Sequence, residues 1–139
     1  MLKIHLLGAK NLPVMDFRGS SDPYCIFTVG QQVIKSHVVE KSISPFWNED
    51  LMICVVDDTA SNSSNSSNPA PSTSMNVKIY DWDRAKKHDF ISEFSMSLAD
   101  VLKNPNETKN FNLELEFAKP SAKKVGRIYF DLCYIPIDH

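Results

Sequence analysis

The chain has 139 residues, 42% of them apolar and 23% charged, with a formal net charge of -2. That length suits one domain with a core large enough to need no staples. The near-neutral charge excludes a bulk basic field of the kind that holds nucleic acid. No run approaches the ~18 consecutive apolar residues of a membrane-spanning helix. Cys25, Cys54 and Cys133 are odd in number and widely spaced. They predict free, buried or half-buried thiols rather than a disulfide framework or a zinc site.

In chain order, Leu2, Ile4 and Leu6 alternate with Lys3 and His5, the period of a half-buried strand. Residues 23–29 form a second strand, rich in β-branched and aromatic side chains. Gly30-Gln31 turns the chain into a third over 33–39. Further strands are predicted at 51–56, 75–80, 90–97, 111–117 and 126–135. The first of these is an apolar run, and three of the others place Met75, Val77 and Ile79, then Leu113 and Leu115, then Ile128, Phe130, Leu132 and Tyr134 on one face. About eight short strands at this spacing predict an all-β, eight-stranded antiparallel β-sandwich. Ser97-Leu98-Ala99-Asp100 reads as a capping box, and Pro105 stops the short connector helix it would open.

Residues 59–74 hold no large apolar side chain. They cannot offset their own ordering entropy, so a disordered loop inside a single domain of residues 1–137 is expected. Either flank alone has too few strands to close a sandwich. Its serines allow phosphorylation, but an inert insertion is the commoner outcome for such composition. With no secretion signal, the sequons at Asn62, Asn65 and Asn106 fall to chance, and a cytoplasmic protein is expected.

Two acidic constellations carry the functional signal. Asp16-Phe17-Arg18-Gly19-Ser20-Ser21-Asp22-Pro23 lies between the first and second strands. Gly19 permits a tight turn, and Pro23 holds Asp22 extended at the strand's start. Asp81-Trp82-Asp83-Arg84-Ala85-Lys86-Lys87-His88-Asp89 follows the strand that ends at Tyr80. Asp81 and Asp83 are two apart and point to one side, and the loop is long enough to return Asp89 beside them. Either motif alone is more often a turn device, because Asp bonds its own backbone. Together they are more specific. Carboxylates clustered at 4 Å repel by ~4 kcal/mol per pair at an effective dielectric near 20, so such a cluster stays open until a cation neutralises it. All-oxygen donors suit calcium better than magnesium, zinc or copper. An EF-hand loop beginning at Asp81 fails: Lys86 stands where glycine is needed and Ser92 where glutamate is needed.

Ala9-Lys10-Asn11-Leu12, Ser21-Asp22-Pro23-Tyr24, Ser44-Pro45-Phe46-Trp47-Asn48-Glu49 and Asp81-Trp82-Asp83 through Asp89 resemble, in order and spacing, the C2 domain family. The resemblance runs over about residues 2–137. It implies that Asp16, Asp22, Asp81, Asp83 and Asp89 ligate Ca2+, joined by the backbone carbonyls of Met15 and Trp82. The strand Gly126-Arg127-Ile128 comes last rather than first, which resembles the circularly permuted type II topology. Bound calcium would reverse the sign of the acidic tip and recruit anionic phospholipid such as phosphatidylserine. Phe17, Arg84, Lys86, Lys87 and Phe90 are the expected lipid contacts, with Val14 and Met15 beside them. Trp47 is expected in the core and Phe46 outside it. Where family members read phosphoinositides with a lysine cluster, this chain has Ile26, Thr28, Lys35 and His37, which favours phosphatidylserine-like headgroups.

The resemblance thus implies a monomeric, calcium-dependent membrane-targeting module that moves from cytoplasm to membrane when calcium rises. Such a module can serve a larger enzyme such as a kinase but is not itself one: no G-x-S-x-G, P-loop or H-E-x-x-H occurs, and no histidine groups with a nucleophile. A calcium-independent module that binds a protein partner is the alternative, and no nucleic-acid partner is expected.

Overall fold

The computed structural model describes residues 1–13, 21–55, 73–117 and 125–136. Eight strands appear: β1 (Leu2–Lys10), β2 (Pro23–Val29), β3 (Gln32–Lys35), β4 (Phe46–Ile53), β5 (Ser74–Asp81), β6 (Asp89–Ser97), β7 (Lys109–Leu115) and β8 (Gly126–Tyr134). One helix, α1 (Ala99–Lys103), joins β6 to β7. The strands form two antiparallel four-stranded sheets, ordered β4-β1-β8-β7 and β3-β2-β5-β6. The first and last strands are neighbours, Ile4 opposite Leu132, which is the permuted order expected from the sequence.

Alternation places the core. Leu2, Ile4 and Leu6 of β1, Met75, Val77 and Ile79 of β5, and Ile128, Phe130 and Leu132 of β8 are fully buried. They meet Cys25 and Phe27 of β2 between the sheets. The Phe130 ring stacks on Phe94 and Phe111, with centroids 6.2 and 5.2 Å away. Burial raises the Cys25 thiol's pKa, so that side chain behaves as a small hydrophobe. Cys133 is half-buried, but Cys54 is exposed, contrary to the expected burial, because it lies just past the end of β4.

Several boundaries differ from the sequence expectation. β4 starts at Phe46 rather than 51, with Asn48 accommodated in the left-handed region at φ 46°. Trp47 is buried and Phe46 is 67% exposed, as expected. β3 ends at Lys35, yet the amides of Ser36 and Val39 still bond to the carbonyls of Cys25 and Pro23. The capping box does not form. Leu98 holds the N-cap position without a side-chain bond, and Ser97 Oγ instead accepts the Ala99 amide at 3.1 Å. Helix α1 is held by packing, since Leu98 and Val101 are buried. Of the serine- and asparagine-rich loop expected over 59–74, Ser74 already belongs to β5, and residues 59–72 lie outside the described residues.

The strand directions put the ends of β1, β3, β5 and β7 and the starts of β2, β4, β6 and β8 at one end of the sandwich, called here the apex. The connection between β4 and β5 leaves from the opposite end.

Replacing Phe130 with alanine empties the centre of the core and is expected to cost about 3–5 kcal/mol, read as a lowered urea midpoint. On the outer face of the first sheet, His5 Nδ1 lies 2.6 Å from Asp50 Oδ1. This hydrogen bond, with the charge of Lys3, lowers the Asp50 pKa. A depressed folded pKa contributes stability above the unfolded carboxylate value and loses it as pH falls through the lower folded value. Urea unfolding should therefore show an acid-side loss of stability that Asp50→Asn reduces.

Candidate metal and membrane site

The site grows out of the ends of β2 and β5. On β5 every second side chain faces the core, from Met75 through Val77 and Ile79, and Asp81 is next in that row. Asp81 is therefore 6% exposed, a carboxylate at the apical end of the apolar core. Burial of such a group demands hydrogen bonds or a counter-charge. Its Oδ1 accepts the Asp22 amide at 2.7 Å. In return the Trp82 amide donates to the Asp22 carbonyl at 2.9 Å. These two bonds clasp the start of β2 to the end of β5, with Pro23 opposite Asp81 in the ladder.

Asp22 is placed from a third direction. One of its carboxylate oxygens accepts the Lys41 amide at 2.7 Å, which ties in the connection between β3 and β4. Lys41 adopts φ 54°, and nothing in the sequence marks it, because it acts through its backbone. Asp89 stands directly opposite Asp81 in the β5–β6 ladder. Antiparallel partners of this kind keep their Cβ atoms about 4.5–5.5 Å apart on one side of the sheet. The return of Asp89 depends on a bulge: Ile79 pairs with Ser92 but Tyr80 pairs with Phe90, leaving Ile91 as the extra residue.

Asp83 lies past the strand end. Its Oδ1 accepts the amides of Ala85 at 2.8 Å and Lys86 at 3.1 Å, folding the chain back on itself. The Ala85 bond, followed by that of Lys86 and by the charges of Lys86 and His88, lowers its pKa. The carboxylate stays ionised in mildly acidic solution.

Four of the five aspartates singled out in the sequence thus gather at the apex: Asp22, Asp81, Asp83 and Asp89. Asp16, Met15 and Phe17 lie outside the described residues, as does Val14. Among the described residues no group of three or more His, Cys, Asp or Glu side chains stands close enough together to hold a metal ion. The donor set is nevertheless all carboxylate, and Asp22 and Asp83 each commit one oxygen to backbone amides. That arrangement fits a hard, oxygen-seeking cation such as calcium and suits neither zinc nor copper.

The expected lipid contacts divide. Arg84, Lys86 and Lys87 are exposed on the turn between Asp83 and Asp89. Phe90 sits within β6 rather than on a loop tip, 39% exposed, its ring edge-on to Tyr80 at 5.8 Å. Beneath the turn, Tyr80 stacks on Tyr24 at 5.9 Å, and Tyr24 Oη bonds His88 Nδ1 at 2.5 Å. Trp82 is 37% exposed beside the His88 ring. This aromatic support was not legible in the sequence, since Tyr24 and His88 are 64 residues apart. On the outer face of the second sheet, Lys35 and Lys78 both pair with Ile26, one on each side, and Glu93 follows Lys78. The row holds two lysines where the positions compared in the sequence held one.

Two substitutions separate the roles of the carboxylates in calcium-free protein. Asp89→Asn relieves repulsion and is expected to raise the thermal midpoint, because Asp89 is exposed and opposite Asp81. Asp81→Ala leaves the half-buried Asp22 amide without its acceptor and is expected to lower the midpoint, a loss on the order of 1 kcal/mol. A thermal scan in chelator reads both.

Comparison with known proteins agrees with this architecture. The family model described as C2 domain matches residues 1–113. Synaptotagmin-3 of Arabidopsis thaliana is 28% identical over 145 residues, which cover 98% of this chain but 24% of that protein's length. A solved C2 domain of plant Extended Synaptotagmin 1 superposes with a TM-score of 0.76 at 23% identity, covering 99% of this chain and 95% of that one. The paired C2 domains of Extended-Synaptotagmin 2, solved with calcium bound, superpose with a TM-score of 0.71 at 26% identity, over 96% of this chain and 44% of that one. With the strand order, the apical aspartates and the family match in agreement, this chain belongs to the C2 domain family.

Proposed function

We propose that the chain is a calcium-dependent membrane-targeting module, a single unit over residues 1–137. Its place in the C2 family supports a non-catalytic targeting role. The observation that supports the calcium reading is the position of Asp81 at the end of the core, bonded to the Asp22 amide and paired with Asp89 across the ladder, with Asp83 on the turn that follows. Asp16 completes the proposed ligand set, with the carbonyls of Met15 and Trp82. About two or three Ca2+ ions are the expected load for five carboxylates that keep spare oxygens.

The electrostatics supply the switch. Without metal, the apex repels an anionic bilayer. Bound calcium supplies positive charge and open coordination positions, which the carboxylate and phosphate oxygens of a lipid such as phosphatidylserine can fill. Arg84, Lys86 and Lys87 extend the attraction to phosphate, while Phe17 and Phe90 supply apolar contact. The domain would then leave the cytoplasm for membranes as calcium rises, carrying with it whatever catalytic or structural domain it serves.

Titration calorimetry should record calcium binding by the intact chain, weakened at least tenfold by Asp81→Asn plus Asp83→Asn. Heat absent at millimolar calcium would favour the protein-binding alternative. Sedimentation with phosphatidylserine vesicles should require calcium in the unsubstituted chain and disappear in the double variant. Pelleting indifferent to calcium would refute the switch.

A further inference from the structure

The apex has a second face that the aspartates do not use. Phe46, at the start of β4, is 67% exposed, more than any other large hydrophobic among the described residues. It borders a groove of about 280 Å³ lined by Leu7, Gly8, Lys10, Pro45 and Tyr129. The groove exists because β1 is irregular there. Leu6 pairs with Phe130 and Gly8 with Tyr129, so Leu7 is the extra residue. Gly8 is held bare by its neighbour, since a Cβ would lie 2.5 Å from the Pro45 carbonyl oxygen.

Two more exposed apolar residues bond through their carbonyls to the segment that follows Lys10. Ile43 is 37% exposed, and its carbonyl accepts the Leu12 amide at 2.9 Å. Val125 is 51% exposed, and its carbonyl accepts Asn11 Nδ2 at 3.1 Å. Asn11 links the two flanks, because its own amide bonds Ser44 Oγ at 3.3 Å. Apolar side chains gathered this way at one end of a soluble protein mark a contact surface.

Among the described residues Lys10 is the one charged residue that lines the groove, its Nζ 5.4 Å from the centre of the Tyr129 ring. A single cation over an aromatic floor, beside an exposed Phe, matches the boundary layer of an anionic bilayer. Aromatic rings settle at that depth, and a lysine stem lies along apolar surface while its ammonium reaches phosphate. Lys10 ends β1 and Phe46 starts β4 at the same end of the sandwich at which β5 ends in Asp81.

We propose that this groove, with Phe46 on its rim, is a second membrane contact that takes the headgroup region of an anionic bilayer. The domain then docks tilted, leaning on the β4-β1-β8 side as well as on the calcium loops. The proposal rests on the membrane-targeting function above and adds a residue set and an orientation to it.

The test uses the intact chain with calcium and phosphatidylcholine–phosphatidylserine vesicles, some carrying brominated acyl chains. Trp82→Phe removes the exposed native tryptophan and leaves Trp47, which is buried. Adding Phe46→Trp should introduce fluorescence that brominated lipid quenches, while the Trp82→Phe chain alone is not quenched. Phe46→Ser should weaken vesicle binding about five- to tenfold, with calcium affinity in lipid-free solution unchanged. Val33→Ser, at an exposed site on the opposite end, should leave vesicle binding unaltered. An unquenched Trp at position 46, or undiminished binding by Phe46→Ser, overturns the groove contact while leaving calcium-driven docking intact. Failure of the unsubstituted chain to bind vesicles overturns both.

Discussion

Every second side chain of β5 faces the core, and that row runs from Met75 to a carboxylate at Asp81. An ionised group at the end of an apolar row is tolerated only when hydrogen bonds or counter-charges surround it. The Asp22 amide meets part of that demand, and the Trp82 amide returns a bond to the Asp22 carbonyl. Two loops far apart in sequence are joined by this exchange. The rest of the apex follows from it: Asp22 is aimed by Lys41, Asp89 is brought opposite by the β6 bulge, and Asp83 starts the turn between them.

The same geometry explains how clustered carboxylates coexist with an apolar core. The carboxylates stand where the sandwich ends, so the apolar rows below them remain dry and continuous. The aromatic rings of Tyr24, Tyr80 and Phe90 lie on the outer face under the turn and support it without entering the core. The aspartates stand at strand ends and in the connections beyond them, where changes of conformation cost little core packing.

The two sheets also give the apex two kinds of surface. Around β5 and β6 it is acidic, with basic side chains on the turn between Asp83 and Asp89. Around β1, β4 and β8 it is apolar, with Lys10 the charged member of the groove. Exposed rings and scattered cations beside an acidic tip give this end groups that match the chemistry of the water–lipid boundary.

Strand count, sheet faces and the acidic motifs were legible because they are local. Period two assigns Leu2, Ile4, Leu6, Ile128, Phe130 and Leu132 to the interior without reference to partners, and the structure buries all six. The permuted order also followed from the sequence, through the late position of the Gly126–Ile128 strand. Boundaries were less legible: Asn48 breaks the alternation of β4, and its left-handed φ lets the strand begin earlier than its apolar run. The helix cap failed because burial of Leu98 and Val101, not the Ser97 and Asp100 side chains, decides where α1 begins. The sequence by itself determined that aspartates of two loops follow apolar strands. Only tertiary structure decided that Lys41 holds Asp22, that His88 rests on Tyr24, and that Phe46 stands outside beside a groove. Those contacts join segments far apart in sequence through a backbone amide, a side-chain hydrogen bond, a bulge and a missing Cβ, none of which has a pattern along the chain.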